Sequence, residues 1–282
     1  MRLFSFAALC GLCAALPNPL PSPQAVATGG NSTGTLFGAI ASLIPNLSLK
    51  TNNPHELTEG TQCKPIYFLM ARGSGEWGTM GVTIGPPVCQ GLKDAYGEKL
   101  GCDGLGPAYS GGLLDNVSEK GTTDAAVTEG VNIFTLAHTK CPDSVLVFGG
   151  YSQGAAVMHN VISALPPEIH SQIAGGVLWG DTKNKQSDGM IKGFPKEKVL
   201  ILCTPDDGVC WGRLDVTAGH LAYTHNGDEA RSVAWMKGKI DGVLGAKGGV
   251  PVPDPVGAPP AGPPPATVTP TLTSRVVRRR TW

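Results

Sequence analysis

Four short runs of apolar residues punctuate the middle of the chain: Ile66 to Met70, Val145 to Phe148, Val177 to Trp179 and Val199 to Leu202. Continuous apolar runs of this length, bounded by Gly, Pro or Asp, fit strands of a parallel sheet buried on both faces. Helical patterns fall between them. One begins at Thr122 or Thr123 with Asp124 in its first turn, and Val127, Val131 and Phe134 recur at helical spacing. A second starts after Ser152 and stops before Pro166-Pro167, and a last one runs from about Asp228 to Ile240. Strands alternating with helices predict a three-layer α/β domain with a central, mostly parallel sheet over residues 61–242.

The flanks read differently. Arg2 followed by the apolar stretch Leu3 to Ala15 is too short to span a bilayer and reads as a secretory signal over residues 1–16. Residues 17–60 are rich in Ser, Thr, Asn, Gly and Pro and carry sequons at Asn31 and Asn46. Residues 243–282 form a second tail, with eight prolines between Pro251 and Pro265 and a basic end at Arg275 and Arg278 to Arg280. Such a composition buries no core and is expected to stay extended or disordered. An extracellular destination follows from the signal, and no transmembrane segment is expected.

Composition narrows the chemistry. Lys and Arg number 22, as do Asp and Glu, so no general field draws the chain to nucleic acid. Cys10 and Cys13 leave with the signal. The remaining six, Cys63, Cys89, Cys102, Cys141, Cys203 and Cys210, suit a disulfide framework in an exported protein, with 15 pairings open. Close Cys pairs with matching His are missing, so no metal site is expected.

The sharpest motif is Gly150-Tyr151-Ser152-Gln153-Gly154, a G-x-S-x-G sequence between an apolar strand and a small-residue helix start. A serine at a tight strand-to-helix turn presents its hydroxyl on a strained backbone, and its neighbours must be small to avoid collision across the turn. The helix N-terminus favours negative charge developing beside it. Serine is a weak nucleophile and needs a base, itself oriented by an acid. His170, His220 and His225 follow at useful separation, while His159 lies on the helix just after Ser152 and points elsewhere. His220 sits in a flexible small-residue loop. Asp181, Asp188, Asp206, Asp207 and Asp215 are candidate acids. Asp206 and Asp207 lie just beyond a strand, where catalytic loops of such sheets emerge, and Cys203 and Cys210 bracket them. The residues alone leave the choice between these two open.

Together, Ala71-Arg72-Gly73-Ser74, Thr139-Lys140-Cys141-Pro142-Asp143, the serine motif, Asp207-Gly208-Val209-Cys210 and His220-Leu221-Ala222-Tyr223 resemble the fungal cutinase family, in the group that also holds acetylxylan esterases. The resemblance covers about residues 61–242. It implies a triad of Ser152, Asp207 and His220, and an oxyanion hole from Ser74 and the backbone N–H of Gln153. Asn116 is implied as the support of Ser74. The implied disulfides are Cys63–Cys141, Cys203–Cys210 and, as in some relatives, Cys89–Cys102. No cofactor is implied.

In that family the serine lies in a shallow crevice between two apolar loops. The corresponding residues here are Leu113, Leu114 and Val117 on one side and Leu214 and Val216 on the other, with Asp215 adding a charge. An exposed apolar rim suits a water-insoluble ester such as cutin. The expectation is a secreted, monomeric serine esterase. An acetylxylan esterase and a non-catalytic wall protein are the competing readings. Asn116 also begins a sequon, Asn116-Val117-Ser118, and a supporting amide leaves no room for a glycan. Peptide mass mapping is therefore expected to find Asn116 unmodified.

Overall fold

The computed structural model describes residues 53–248. The signal, Asn31, Asn46, most of the N-terminal extension and the Pro-rich tail lie outside the described residues.

Five parallel strands form one sheet in the order β2-β1-β3-β4-β5: β1 Ile66–Ala71, β2 Leu100–Gly104, β3 Val145–Tyr151, β4 Ile173–Trp179 and β5 Val199–Leu202. Ile66 stands opposite both Leu100 and Val145, and Trp179 stands opposite Leu202. Five helices cover the sheet: α1 Gly85–Tyr96, α2 Asp124–Lys140, α3 Gln153–Ala164, α4 Pro167–Gln172 and α5 Asp228–Gly248. Alternate strand residues point to opposite layers. Tyr67, Leu69, Leu146 and Phe148 pack with Phe134 of α2 and Val161 of α3. Ile66, Phe68, Met70, Val145 and Val147 pack with Val88 and Leu92 of α1 and Met236 and Ile240 of α5. Because both faces are covered, the strands read as continuous apolar runs.

Local signals explain several element ends. The Thr123 side chain accepts from the Ala126 N–H and caps α2. Pro86 and Pro87 occupy the first turn of α1, where the missing N–H costs nothing. The last helix continues past Ile240 to Gly248, one turn or more beyond the sequence expectation.

Residues 53–60 run along the edge strand β2. The Gly104 N–H donates to Pro54 O, the Glu56 N–H donates to Cys102 O, and Leu57 is fully buried. Glu56 also pairs with Lys93 of α1 at 2.8 Å. Asp103 accepts from the Leu57 and Thr58 N–H groups at 3.1 and 2.9 Å. This segment covers a strand edge that would otherwise present unpaired backbone groups.

Three disulfides are formed, Cys63–Cys141, Cys89–Cys102 and Cys203–Cys210, as the resemblance implied. The first spans 78 residues and ties the start of β1 to the end of α2. The last closes a loop of only 7 residues after β5. Among the described residues no helix is long and apolar enough to cross a membrane, and no group of three or more His, Cys, Asp or Glu is placed to hold a metal ion.

Candidate active site

The chain leaves β1 toward β2 on one side and returns to β3 on the other, so strand order reverses between β1 and β3. Ligands of open α/β sheets bind at the carboxyl ends of the strands beside such a switch point. Ser74 follows β1 and Ser152 follows β3, so both sit there.

Ser152 is the turn residue between β3 and α3, with φ 56° and ψ −120°. A non-glycine residue held there costs on the order of 1–3 kcal/mol, which the surroundings must offset. Its N–H donates to Trp179 O at 2.9 Å, and its carbonyl accepts from the Ala155 N–H at 3.0 Å. The Thr182 hydroxyl lies 3.4 Å from the same carbonyl. Gly154 is dictated by close approach, since a Cβ there would lie 2.0 Å from Ala71 O. Gln153 is the first residue of α3, so its N–H has no acceptor within the helix. Its side chain donates to Gly112 O at 2.7 Å and ties the elbow to the loop after β2.

Asp207 and His220 meet behind Tyr151. His220 Nδ1 lies 2.9 and 3.0 Å from the two Asp207 oxygens. Both residues are buried, at 0% and 1% exposure. With the carboxylate on Nδ1, the proton belongs there and the Nε2 lone pair is left free. Asp207 also accepts from the Tyr223 hydroxyl at 2.6 Å and the Val209 N–H at 2.9 Å. Burial alone would raise this carboxyl. The bond and charge of His220, with the donors of Tyr223 and Val209, outweigh it and hold the group below the usual carboxylate value. Tyr223 moves the opposite way, pushed up by burial and by Asp207, so it remains a donor. Tyr151 stacks on the imidazole at 5.2 Å and donates to His220 O at 2.9 Å. Gly180, at φ +55°, completes the support: a Cβ there would lie 2.6 Å from His220 Cε1.

The alternative acids and bases go elsewhere. Asp206 is exposed, and its carbonyl accepts from the Thr217 hydroxyl at 2.6 Å. Asp215 pairs with Arg213 on the surface at 3.1 Å. Asp188 is exposed in a turn. His170 bonds Ile162 O at 2.7 Å, and His225 is exposed. Asp181 is buried against His159, with Nε2 to Oδ2 at 2.8 Å.

Ser74 Oγ accepts from Asn116 Nδ2 at 2.8 Å, and the same amide donates to Leu113 O at 2.9 Å. A hydroxyl that accepts in this way keeps its own proton to donate. Two residues to which the sequence assigned no role hold this loop. Arg72 is buried and donates to the carbonyls of Glu76, Leu105, Tyr109 and Ser110. The buried Glu76 carboxylate accepts from the N–H groups of Gly73, Val82 and Thr83 and from the Thr83 hydroxyl.

All large apolar side chains that are exposed among the described residues lie in the connections that follow β1, β2, β4 and β5. Leu113, Leu114, Val117, Leu214 and Val216 are joined there by Trp77, Met190 and Trp211, which sequence patterning did not flag because isolated apolar residues in loops carry no periodicity.

The sheet, its covering helices and the strained strand-to-helix serine are those of an α/β hydrolase. The sequence model of the family described as Cutinase matches residues 62–240. The chain is 43% identical over 202 residues to "Probable cutinase 5" of Aspergillus terreus, covering 70% of this chain and 91% of that protein. A Trichoderma reesei cutinase in complex with a C11Y4 phosphonate inhibitor superposes with a TM-score of 0.60 at 29% identity, covering 73% of this chain and 86% of that one. An acetylxylan esterase shares the fold at a TM-score of 0.54 and 17% identity, over 64% of this chain and all of that one. The chain belongs to the cutinase family, and it is a carboxylic ester hydrolase.

Proposed function

We propose that the protein is a secreted cutinase that hydrolyses ester bonds of cutin-type polyesters through Ser152, His220 and Asp207. His220 Nε2 takes the Ser152 proton as Oγ attacks the ester carbonyl, while Asp207 holds the imidazole in the tautomer that leaves Nε2 free. The tetrahedral oxyanion is received by the N–H of Gln153 and by Ser74, whose hydroxyl proton is aimed by the amide of Asn116. The alcohol leaves with the proton from His220, giving an acyl-enzyme. Water activated by His220 then releases the acid.

The apolar rim carries the assignment to an insoluble ester. Large exposed apolar side chains in the connections after β1, β2, β4 and β5, the side of such a sheet where ligands bind, can rest on a water-insoluble chain. The names of the similar fungal proteins support the same substrate, and three disulfides suit an extracellular setting.

The test is release of hydroxy fatty acids from cutin against release of acetate from acetylated xylan, with Ser152→Ala as the blank. Release from cutin by the wild-type protein and not by Ser152→Ala is expected. Serine-dependent acetate release alone would move the substrate to acetylated polysaccharide and leave the triad in place.

A further inference from the structure

Among the described residues there are two buried histidine–aspartate pairs, and the proposed reaction uses only one. The other joins His159, seven residues beyond Ser152 on α3, to Asp181 just after β4, at 2.8 Å and with exposures of 7% and 0%. The second Asp181 oxygen accepts from the Lys183 N–H at 2.8 Å, and the Asp181 carbonyl accepts from the Asn184 N–H at 3.2 Å. The pair therefore clamps the turn 181–184 onto the helix that begins at the nucleophile.

That turn reaches the surroundings of Ser152, His220 and Asp207. Gly180, at its start, packs against His220 and the Asp207 carboxylate. The Thr182 hydroxyl reaches the Ser152 carbonyl. Asn184 Nδ2 donates to Cys210 O at 3.2 Å, at the closing disulfide of the acid loop. Stability alone gives no reason for a buried carboxylate here, because apolar side chains of similar volume would fill the space without desolvating a charge.

We infer that His159 and Asp181 are a positioning pair for acyl transfer: by fixing the turn 180–184 on α3, they set the placement of the Ser152 elbow relative to His220 and Asp207. The inference rests on the proposed roles of those three residues.

The experiment compares Asp181→Ala and Asp181→Asn in the full-length protein on a soluble p-nitrophenyl butyrate substrate, with melting temperature measured alongside. Leu92→Ala, a cavity variant in the opposite helix layer, is the control for lost stability. Misplacing reacting groups by a fraction of an ångström to an ångström costs on the order of 10-fold to 100-fold in rate. Asp181→Ala is expected to lose kcat by that factor with KM within about twofold. Labelling of Ser152 by an alkyl phosphonate slows in parallel. Asp181→Asn is expected to recover most of the rate, since its oxygen can accept from Lys183 and its amide can donate to His159 Nε2. Leu92→Ala should lose stability and keep kcat. Should Asp181→Ala fail to fold, His159→Leu against His159→Gln provides the same contrast. Wild-type kcat in Asp181→Ala, or an Asn variant as slow as the Ala variant, overturns the inference while inactivity of Ser152→Ala leaves the triad standing. Activity retained in Ser152→Ala overturns both.

Discussion

Replacing Asp207 by Asn is expected to lower kcat on the order of 10⁴-fold while leaving the fold and KM nearly unchanged. The asparagine is the same size and can still accept from the Val209 N–H. Its amide NH2 then takes the place of the oxygen that faces both His220 Nδ1 and the Tyr223 hydroxyl. An NH2 toward Nδ1 moves the imidazole proton to Nε2, where it cannot accept from Ser152. Asp206→Asn is the matched control and is expected to stay within about threefold of wild type, because its exposed carboxylate serves no buried donor. Steady-state kinetics on a soluble ester separates the two. Equal loss in both variants would reject Asp207 as the orienting acid.

The same carboxylate has a consequence for stability. Asp207 is held below its usual value in the folded protein. Folding therefore gains from its ionisation at pH above the unfolded Asp value of about 3.9, and that gain is lost as pH falls through the folded value. The melting temperature of the wild-type protein is expected to fall in that acid range, and Asp207→Asn should show a shallower acid limb. An unchanged acid limb would mean that the bonds around Asp207 contribute nothing to folding.

Most of the sheet was legible because four strands are apolar on both faces and so interrupt the chain as runs. The edge strand β2 was not. It reads Leu-Gly-Cys-Asp-Gly, and its burial comes from residues 53–60 and from the Cys89–Cys102 bond rather than from its own hydrophobicity. Helix α1 was hidden for a related reason: Gly85-Pro86-Pro87 looks like a breaker until the prolines are placed in a first turn. At the site, Ser152 was legible because the elbow is a local motif whose glycines answer to contacts a few residues away. Asp206 and Asp207 could not be separated from the residues alone. Neighbouring positions in a turn differ only in which side faces His220, and the family pattern was needed to prefer one. His159 and Asp181 were both noticed, but neither could be assigned to the other. They are 22 residues apart, and only the packing of the turn after β4 on α3 brings them together.

Glu76 is the residue whose loss should couple stability to catalysis most directly. It sits in the loop that carries Ser74 and is 6% exposed. One oxygen accepts from the Gly73 N–H at 2.6 Å, immediately before Ser74. The other accepts from Val82 N–H, Thr83 N–H and the Thr83 hydroxyl at 3.0, 2.9 and 2.6 Å. Glu76→Ala leaves these buried donors without their acceptor, at a cost of at least about 3 kcal/mol. For a domain of this size that is a drop of roughly 6–12 °C in melting temperature. Because Gly73 then loses the bond that fixes it, Ser74 is no longer held for its proposed role at the oxyanion, and kcat is expected to fall on the order of 100-fold. Glu76→Gln separates the two effects. Its amide oxygen can serve Val82 and Thr83, but its NH2 confronts the Gly73 N–H, so stability should recover further than rate. A double-mutant cycle with Ser74→Ala identifies the route. If Glu76 acts through Ser74, the two losses in kcat overlap and the double variant is little slower than Ser74→Ala alone. Fully additive losses would place the effect of Glu76 outside the oxyanion loop.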